Sequence, residues 1–302
     1  MSSALELARR HYRDRRSLAD ATVDAGLGMW RSVDPGDLSR SWGRYLARML
    51  LVVRGAQTAA ASTADRFADA VLDAQGSAPA AAGRVSATAL AGIASDGRDL
   101  LGLLLNPVIA AKVAIRDGAT IDRALATGQA SLEMVLRTQV ADAGRVADGV
   151  AVAARPRTSW TRMVVGDSCP RCILLAGRVY RFSAGFLRHP NCDCVHIPTA
   201  DATGDDFTTD PRRAFEEGRV RGLSKADEQA VRDGADLAQV VNAHRGMYTA
   251  AGQKLTREGT TRSGFAGRRL GGQRRLMPEQ IYRDATSRDE AVRMLRLHGY
   301  LI

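Results

Sequence analysis

The first half of this 302-residue chain repeats its apolar residues at spacings of three, four and seven, the period of an amphipathic helix. Such a pattern can bury only one face of each segment, so the segments must pack against one another. Turn-forming residues at 34–36, 76–79 and 117–118 separate them. The pattern predicts an elongated helical bundle over residues 1–154, whose long helices cover residues 5–27, 38–60 and 121–146.

The apolar pattern changes after residue 154. Short runs of β-branched and aromatic residues at 158–165, 178–182 and 194–197 predict three short strands in a small α+β subdomain over residues 155–202. From 203 to 302 helix-start residues return: Asp210 before Pro211, Ser224 before Asp227, Pro278, and Ser287 before Glu290. We therefore predict a mainly α protein in three parts, with a helical and basic C-terminal region.

A basic stretch at residues 248–277 interrupts the last part, and we interpret it as a linker. Residues 252–277 hold seven lysines and arginines but one acidic residue, Glu258. Arg268, Arg269, Arg274 and Arg275 are candidate contacts to the phosphates of a nucleic acid or to an acidic groove on another protein. A solvated linker without a partner explains the same composition.

All four cysteines of the chain lie in one window of the sequence. Cys169 and Cys172 have two residues between them, Cys192 and Cys194 have one, and His189 stands just before the second pair. A disulfide framework would distribute its cysteines to join distant segments, whereas two local pairs are typical of a tetrahedral Zn²⁺ site. The window predicts one zinc ion that staples the subdomain at 155–202.

Five candidate ligands compete for four positions around the ion. Cys169, Cys172 and Cys194 are the first choice, and either His189 or Cys192 completes the set. Four protein ligands would make the zinc structural, because a catalytic zinc keeps one position for water. Buried reduced thiols, or one local disulfide, are the alternative interpretations.

Charge indicates an anionic partner only weakly. The formal net charge is +10, which favours a nucleic-acid-rich environment. However, lysine contributes only three of the 43 basic residues, and a GC-rich coding sequence also produces abundant arginine.

The sequence shows neither a targeting segment nor a membrane span. Residues 1–16 mix Glu6 and Asp14 with five arginines and have no apolar core. The longest apolar run, 100–115, is interrupted by Asn106, Pro107 and Lys112 and is too short to cross a bilayer. We expect synthesis in a cytoplasm and no membrane partner.

Several of these motifs together resemble a known family. Residues 167–178 (Asp-Ser-Cys-Pro-Arg-Cys-Ile-Leu-Leu-Ala-Gly-Arg) and 185–194 (Gly-Phe-Leu-Arg-His-Pro-Asn-Cys-Asp-Cys) resemble the Mu F-like minor head proteins of tailed bacteriophages, and more narrowly those of phages of actinobacteria. Residues 256–261 and 275–282 resemble the same group. The resemblance covers the middle and C-terminal thirds, and the N-terminal third only by its helical character.

The resemblance implies a minor capsid protein in the interior of the virion head, near the portal. Its implied partners are the portal protein, the major capsid protein or scaffold, and packaged DNA. Its implied role is head assembly, with DNA packaging or ejection as a further expectation. A zinc-knuckle DNA-binding protein is an alternative that the cysteine window itself suggests.

Members of the same group are often described as capsid maturation proteases, so a peptidase is a further alternative. The chain has no His-Glu-x-x-His motif, which excludes that class of zinc protease. For a serine protease, His196 is the candidate base, and Ser168 or Ser183 is the candidate nucleophile. A zinc-bound thiolate is not a free nucleophile, which disfavours cysteine catalysis. The sequence thus favours a protein that is not an enzyme.

Overall fold

The computed structural model describes residues 3–184, 194–200, 210–261 and 266–301, apart from the side chain of Arg268. The chain divides into two units. Unit 1 comprises Met1–Val165 and Ala176–Thr208, and unit 2 comprises Gly166–Leu175 and Thr209–Ile302. The prediction of a mainly α protein with small sheets is confirmed. The predicted boundaries at 154 and 202 stay predictions.

Seven helices in the described residues of unit 1 form its larger layer. They are α1 (Ala4–Trp30), α2 (Leu38–Gly43), α3 (Leu46–Ser62), α4 (Ala64–Ala74), α5 (Leu100–Leu103), α6 (Asn106–Arg116) and α7 (Ile121–Ala153), with a 3₁₀ turn at Ala87–Leu90. The predicted helices at 5–27 and 121–146 are confirmed as α1 and α7. The predicted helix at 38–60 is divided into α2 and α3 at residues 44–45.

Helix α7 forms the centre of unit 1, because α1, α3, α4 and α6 all pack against it. Two tryptophans anchor the core beside it. Trp30 and Trp42 meet edge to face with ring centroids 5.3 Å apart, a favoured geometry for aromatic pairs. Trp42 Nε1 donates to the carbonyl oxygen of Leu104 at 2.8 Å, and Trp30 Nε1 donates to that of Leu125 at 3.2 Å. The indole N–H groups are therefore satisfied within the core.

A three-stranded antiparallel sheet completes unit 1. It consists of β1 (Thr158–Met163), β2 (Val179–Tyr180) and β3 (Val195–Ala200), in the order β2-β1-β3. Each predicted strand region overlaps one of these strands, and β3 extends three residues beyond the predicted end at 197. Trp160 on β1 stacks on Tyr180 with centroids 4.3 Å apart. Every residue of β3 is buried, so this short strand is an internal element of unit 1.

Unit 2 combines short helices with a second antiparallel sheet. Its helices are α8 (Pro170–Leu175), α9 (Pro211–Glu216), α10 (Lys225–Arg232), α11 (Leu237–Ala243), α12 (Gly267–Leu270), α13 (Pro278–Asp284) and α14 (Arg288–Leu297). Its strands are β4 (Met247–Ala250), β5 (Gln253–Thr256) and β6 (Arg275–Leu276), in the order β4-β5-β6. The stretch interpreted as a basic linker at 248–277 thus contains this sheet.

The predicted helix starts in unit 2 are confirmed by their caps. Asp210 accepts from the backbone N–H of Arg212 at 2.8 Å, Ser224 from Asp227 at 3.1 Å, and Ser287 from Glu290 at 3.2 Å. The apolar C-terminal residues Tyr300 and Leu301 are buried in the core of unit 2. No helix in the described parts of the chain is long and apolar enough to cross a membrane.

Candidate functional site

The first cysteine pair lies at the start of α8 in unit 2. The backbone N–H of Cys172 donates to Cys169 Sγ at 3.4 Å, so the turn folds back over the first sulfur. Cys172 is buried and Cys169 is partly exposed. An N–H group that donates to sulfur stabilises the thiolate, the form that binds a metal. The local geometry therefore fits one half of the predicted zinc site.

The other candidate ligands do not complete a site within the described residues. Cys194 is buried at the start of β3 in unit 1. His189 and Cys192 lie outside the described residues. Over 3–184, 194–200, 210–261 and 266–301, no group of three or more His, Cys, Asp or Glu side chains is arranged to hold a metal ion. The predicted zinc ion stays a prediction.

The proposed protease residues lie in surroundings that suit structural roles. In unit 1, His196 on β3 is buried and meets the edge of Trp160 at 4.3 Å. Burial lowers the pKa of His196 to about 3; nearby Asp148 opposes that shift, and Arg145 adds to it. A general base works best with a pKa near the working pH. Ser183 is exposed on the loop after β2.

Ser168 in unit 2 is only 2 % exposed. Its backbone N–H donates to the carbonyl of Arg219, and its carbonyl accepts from the N–H of Arg221, both at 2.9 Å. These bonds give a short parallel bridge around Val220. Among the described residues the Ser168 hydroxyl has no hydrogen-bond partner. Burial argues against Ser168 as an accessible nucleophile, and the protease alternative stays a prediction.

A buried ionic cluster joins α1 to α7 inside unit 1. Arg15 makes a two-point ion pair with Asp148, in which Nη2 and Oδ1 are 2.9 Å apart and Nη1 contacts Oδ2. Arg15 Nη2 also donates to the carbonyl of Ala60 at 3.0 Å. The Asp148 side chain is fully buried and that of Arg15 is 8 % exposed. The pair therefore connects three helices away from water.

His11 extends the cluster. Its ring stacks on Phe67 at 3.6 Å, and its Nε2 lies 3.5 Å from Asp148 Oδ1. Burial, together with the nearby Arg15, lowers the pKa of His11. Burial alone would raise the pKa of Asp148, but the charge of Arg15 and the hydrogen-bonding contact with His11 lower it below its ordinary value. The cluster thus keeps Asp148 charged and His11 neutral near pH 7.

Other buried arginines fasten α7 to its neighbours. Arg145 bonds Asp142 on its own helix at 2.7 Å, and its Nε donates to the carbonyl of Cys194 at 2.7 Å. Arg155, just after α7, bonds Asp69 of α4 through Nε at 3.0 Å. Charge-assisted bonds of this kind are stronger than neutral ones. They hold the start of β3 and the α4 helix against α7.

The predicted contact arginines divide into different roles in unit 2. Arg274 is exposed. Arg269 is exposed but donates to the carbonyl oxygens of Arg296 and Leu301, at 3.1 and 3.0 Å. The side chain of Arg268 lies outside the described residues.

Arg275 has an internal role in place of the predicted contact. It is 1 % exposed, and its guanidinium lies over the Tyr300 ring, 4.3 Å from the centroid. Its Nε donates to the carbonyl of His298 at 2.8 Å, and its Nη1 to that of Glu258 at 2.7 Å. Burial lowers its pKa. No external phosphate reaches a side chain buried to this degree.

The described elements define a mainly α-helical protein with two small antiparallel sheets and a buried arginine–aspartate core in its first unit. The model of a family described as VG15 protein matches residues 3–217. That match covers more than half of the chain, so the protein belongs to the VG15 family, which makes it a phage protein of the virion type. No curated protein and no solved structure matches the chain significantly.

Proposed function

We propose that this protein is a minor capsid protein of the Mu F-like head morphogenesis type. It acts inside the head near the portal, where it supports procapsid assembly and DNA packaging or ejection. Its partners are the portal protein and the major capsid protein or scaffold. The VG15 family match over residues 3–217 supports a phage protein of the virion type. The observation that carries the Mu F-like role is the resemblance of residues 167–178 and 185–194 to that group.

An exposed apolar stripe on α5 and α6 supports an assembly role. Leu101, Leu105, Ile109 and Val113, four residues apart, form this apolar stripe and are 39–54 % exposed. The opposite face of α6, with Val108 and Ala111, is buried against the rest of unit 1. Adjacent exposed apolar side chains are typical of protein–protein contacts. The stripe gives unit 1 a surface for another virion protein.

Particle composition tests this role. In particles purified from a lysate of the cognate phage, mass spectrometry is expected to find this chain in mature heads and in procapsids without DNA. The double variant Ile109→Asp, Val113→Asp is expected to lower its incorporation about tenfold or more, because two charges would replace apolar contacts.

The matched control is Val146→Asp, Val150→Asp on α7, which adds the same charge at positions that are 40 % and 42 % exposed. Normal incorporation of the control, with loss of the α6 variant, is the expected pattern. Absence of the wild-type chain from both kinds of particle, while it is present in the lysate, would contradict the proposed function. Equal loss in both variants would contradict the role of the apolar stripe.

We also propose that the cysteine window binds one structural Zn²⁺. The spacing of the two pairs supports this, as does the N–H···S bond between Cys172 and Cys169. Cys169, Cys172 and Cys194 with His189 or Cys192 would hold the ion. When bound, the zinc would supply a rigid cross-link and no chemistry.

Metal analysis of the purified protein tests the zinc proposal. We expect one zinc per chain in the wild type and none in Cys172→Ser, because the spare candidate, His189 or Cys192, stands beside Cys194 and does not replace the missing half of the first pair. Ser168→Ala is the neighbouring control, since the Ser168 hydroxyl has no partner among the described residues. Equal zinc content in the wild type and Cys172→Ser would refute the site.

A further inference from the structure

The outer face of α2 and α3 carries a row of arginines without acidic neighbours. Arg40, Arg44 and Arg48 are four residues apart and all exposed, and we call them the arginine face. Residues 38–64 contain four arginines and no aspartate or glutamate. Among the described residues, the three side chains of the arginine face have no ion-pair partner.

The backbone keeps these arginines on one side of the helices. Arg44 and Tyr45, between α2 and α3, both have right-handed helical φ and ψ angles. Hydrogen bonds also span the junction: Tyr45 N–H donates to the Trp42 carbonyl three residues earlier, and Met49 N–H donates to the Tyr45 carbonyl four residues earlier, both at 2.8 Å. Side chains four residues apart then lie one above another. The arginine face is therefore an ordered row of cations about 12 Å long.

The carboxylates that flank residues 38–64 in the sequence have other roles. Asp37 accepts from the backbone N–H of Arg40 at 3.1 Å as the cap of α2. Asp65 accepts from the backbone N–H of Val85 at 2.8 Å and bonds Arg155 at 3.3 Å. Neighbouring like charges one turn apart destabilise a helix. An anionic partner would relieve that repulsion.

Three exposed arginines elsewhere in unit 1 have carboxylate partners, unlike the arginine face. Arg84 lies 3.4 Å from Asp69, Arg98 lies 2.6 Å from Asp96, and Arg116 lies 2.8 Å from Asp117. Such pairs neutralise the local field at the surface. The arginine face keeps its positive charge, because no such pair forms there among the described residues.

Small residues beside the arginine face leave room for a ligand to approach it closely. Ser39, Gly43 and Ala47 are exposed and each precedes one of the arginines, so they form a parallel row. A Cβ atom at Gly43 would meet nothing within 4 Å. A ligand backbone can therefore approach the helices closely.

We propose that the arginine face binds the phosphate backbone of double-stranded DNA without sequence preference. About 12 Å of duplex carries about seven phosphate charges, so regularly spaced cations always find partners. The planar guanidinium bonds phosphate oxygens through two N–H groups at once. Such a surface holds DNA by charge alone and leaves its sequence unread.

Fluorescence anisotropy with a labelled random-sequence 30-base-pair duplex tests this proposal on the full chain. The variant is Arg40→Gln, Arg44→Gln, Arg48→Gln. The control is Arg84→Gln, Arg98→Gln, Arg116→Gln, which removes the same three charges from paired arginines. We expect the slope of log affinity against log salt concentration to become about three units less steep in the variant. The control should change by less than one unit.

Three results would overturn the proposal. One is no binding of wild type to the duplex at 50 mM salt. Another is equal loss of slope in variant and control, which would indicate a response to net charge alone. The third is binding to polyglutamate or to anionic lipid vesicles, but not to duplex, with the same dependence on the arginine face. Circular dichroism of the variant is expected to match wild type, because all three side chains are exposed.

Discussion

Replacing Asp148 with alanine is expected to destabilise unit 1 by about 3–5 kcal/mol. The carboxylate is fully buried and pairs with Arg15, which is itself 8 % exposed. Without Asp148, the Arg15 guanidinium would remain in the core with only the Ala60 carbonyl and a weak contact to Thr63 at 3.5 Å. A buried charge without its counter-ion costs far more than the pair contributes. The expected effect is thus among the largest for one substitution in this unit.

Tryptophan fluorescence in a urea titration measures this effect directly. The chain has three tryptophans, Trp30, Trp42 and Trp160, and all lie in unit 1. The unfolding midpoint of Asp148→Ala is expected to fall by about 1–2 M urea. Asp20→Ala is the control, because it removes a half-exposed partner of Arg137 and should cost less than about 1 kcal/mol. A loss that small in Asp148→Ala would contradict a structural role for the cluster.

A double replacement separates loss of charge pairing from loss of packing. Arg15→Met with Asp148→Leu removes both charges and keeps apolar volume, so it is expected to recover most of the lost stability. Gly144 on α7 shows how tightly Arg15 fits, because a Cβ atom there would lie 2.8 Å from Arg15 Nε. Recovery by the double variant would identify the unpaired charge as the cause.

Local sequence patterns predicted most of the helices, because the features that form a helix lie close together in the sequence. Apolar residues one turn apart specify the buried faces of α1 and α7, and polar caps such as Ser224 and Ser287 fix helix starts. The division between α2 and α3 has only a weak local signal. Gly43 ends α2, but the apolar period continues across Arg44 and Tyr45, so the pattern predicts one helix there.

The buried ionic cluster could not be predicted in the same way. Arg15 and Asp148 are 133 residues apart, and each looks like an ordinary surface charge in its own helix. The arginine face is the opposite case. Its signal, four arginines and no acid over 38–64, is visible in the sequence. The density of positive charge instead predicts contacts at Arg268, Arg269, Arg274 and Arg275, of which Arg275 is buried.

Arg275 shows why a high density of positive charge in the sequence does not identify the contact residues at 268–275. The sequence places it beside Arg274 in a Gly- and Arg-rich stretch. In the fold, Arg275 is the first residue of β6 and pairs with Thr256 of β5, whereas Arg274 lies just before the strand. Arg274 is exposed, while Arg275 is buried against Tyr300, 25 residues further along the chain. The start of the strand therefore separates the two residues.

Arg275→Ala is accordingly expected to destabilise unit 2 by about 3 kcal/mol or more. It would leave the carbonyl oxygens of His298 and Glu258 without their donor and would remove the cation–π contact to Tyr300. Tyr300 and Leu301 belong to the core of unit 2, so α13 and α14 would lose protection with them. Hydrogen exchange measured by mass spectrometry over residues 278–301 is expected to accelerate about 100-fold.

Arg274→Ala is the matched control, because it removes the same side chain one residue earlier from an exposed position. We expect its exchange rates to equal those of the wild type. Arg275→Lys should recover only part of the loss, since an ammonium group cannot reach both carbonyl oxygens and stack flat on the Tyr300 ring. If Arg274→Ala accelerated exchange as much as Arg275→Ala, general charge, and not the buried bonds of Arg275, would stabilise this end of the chain.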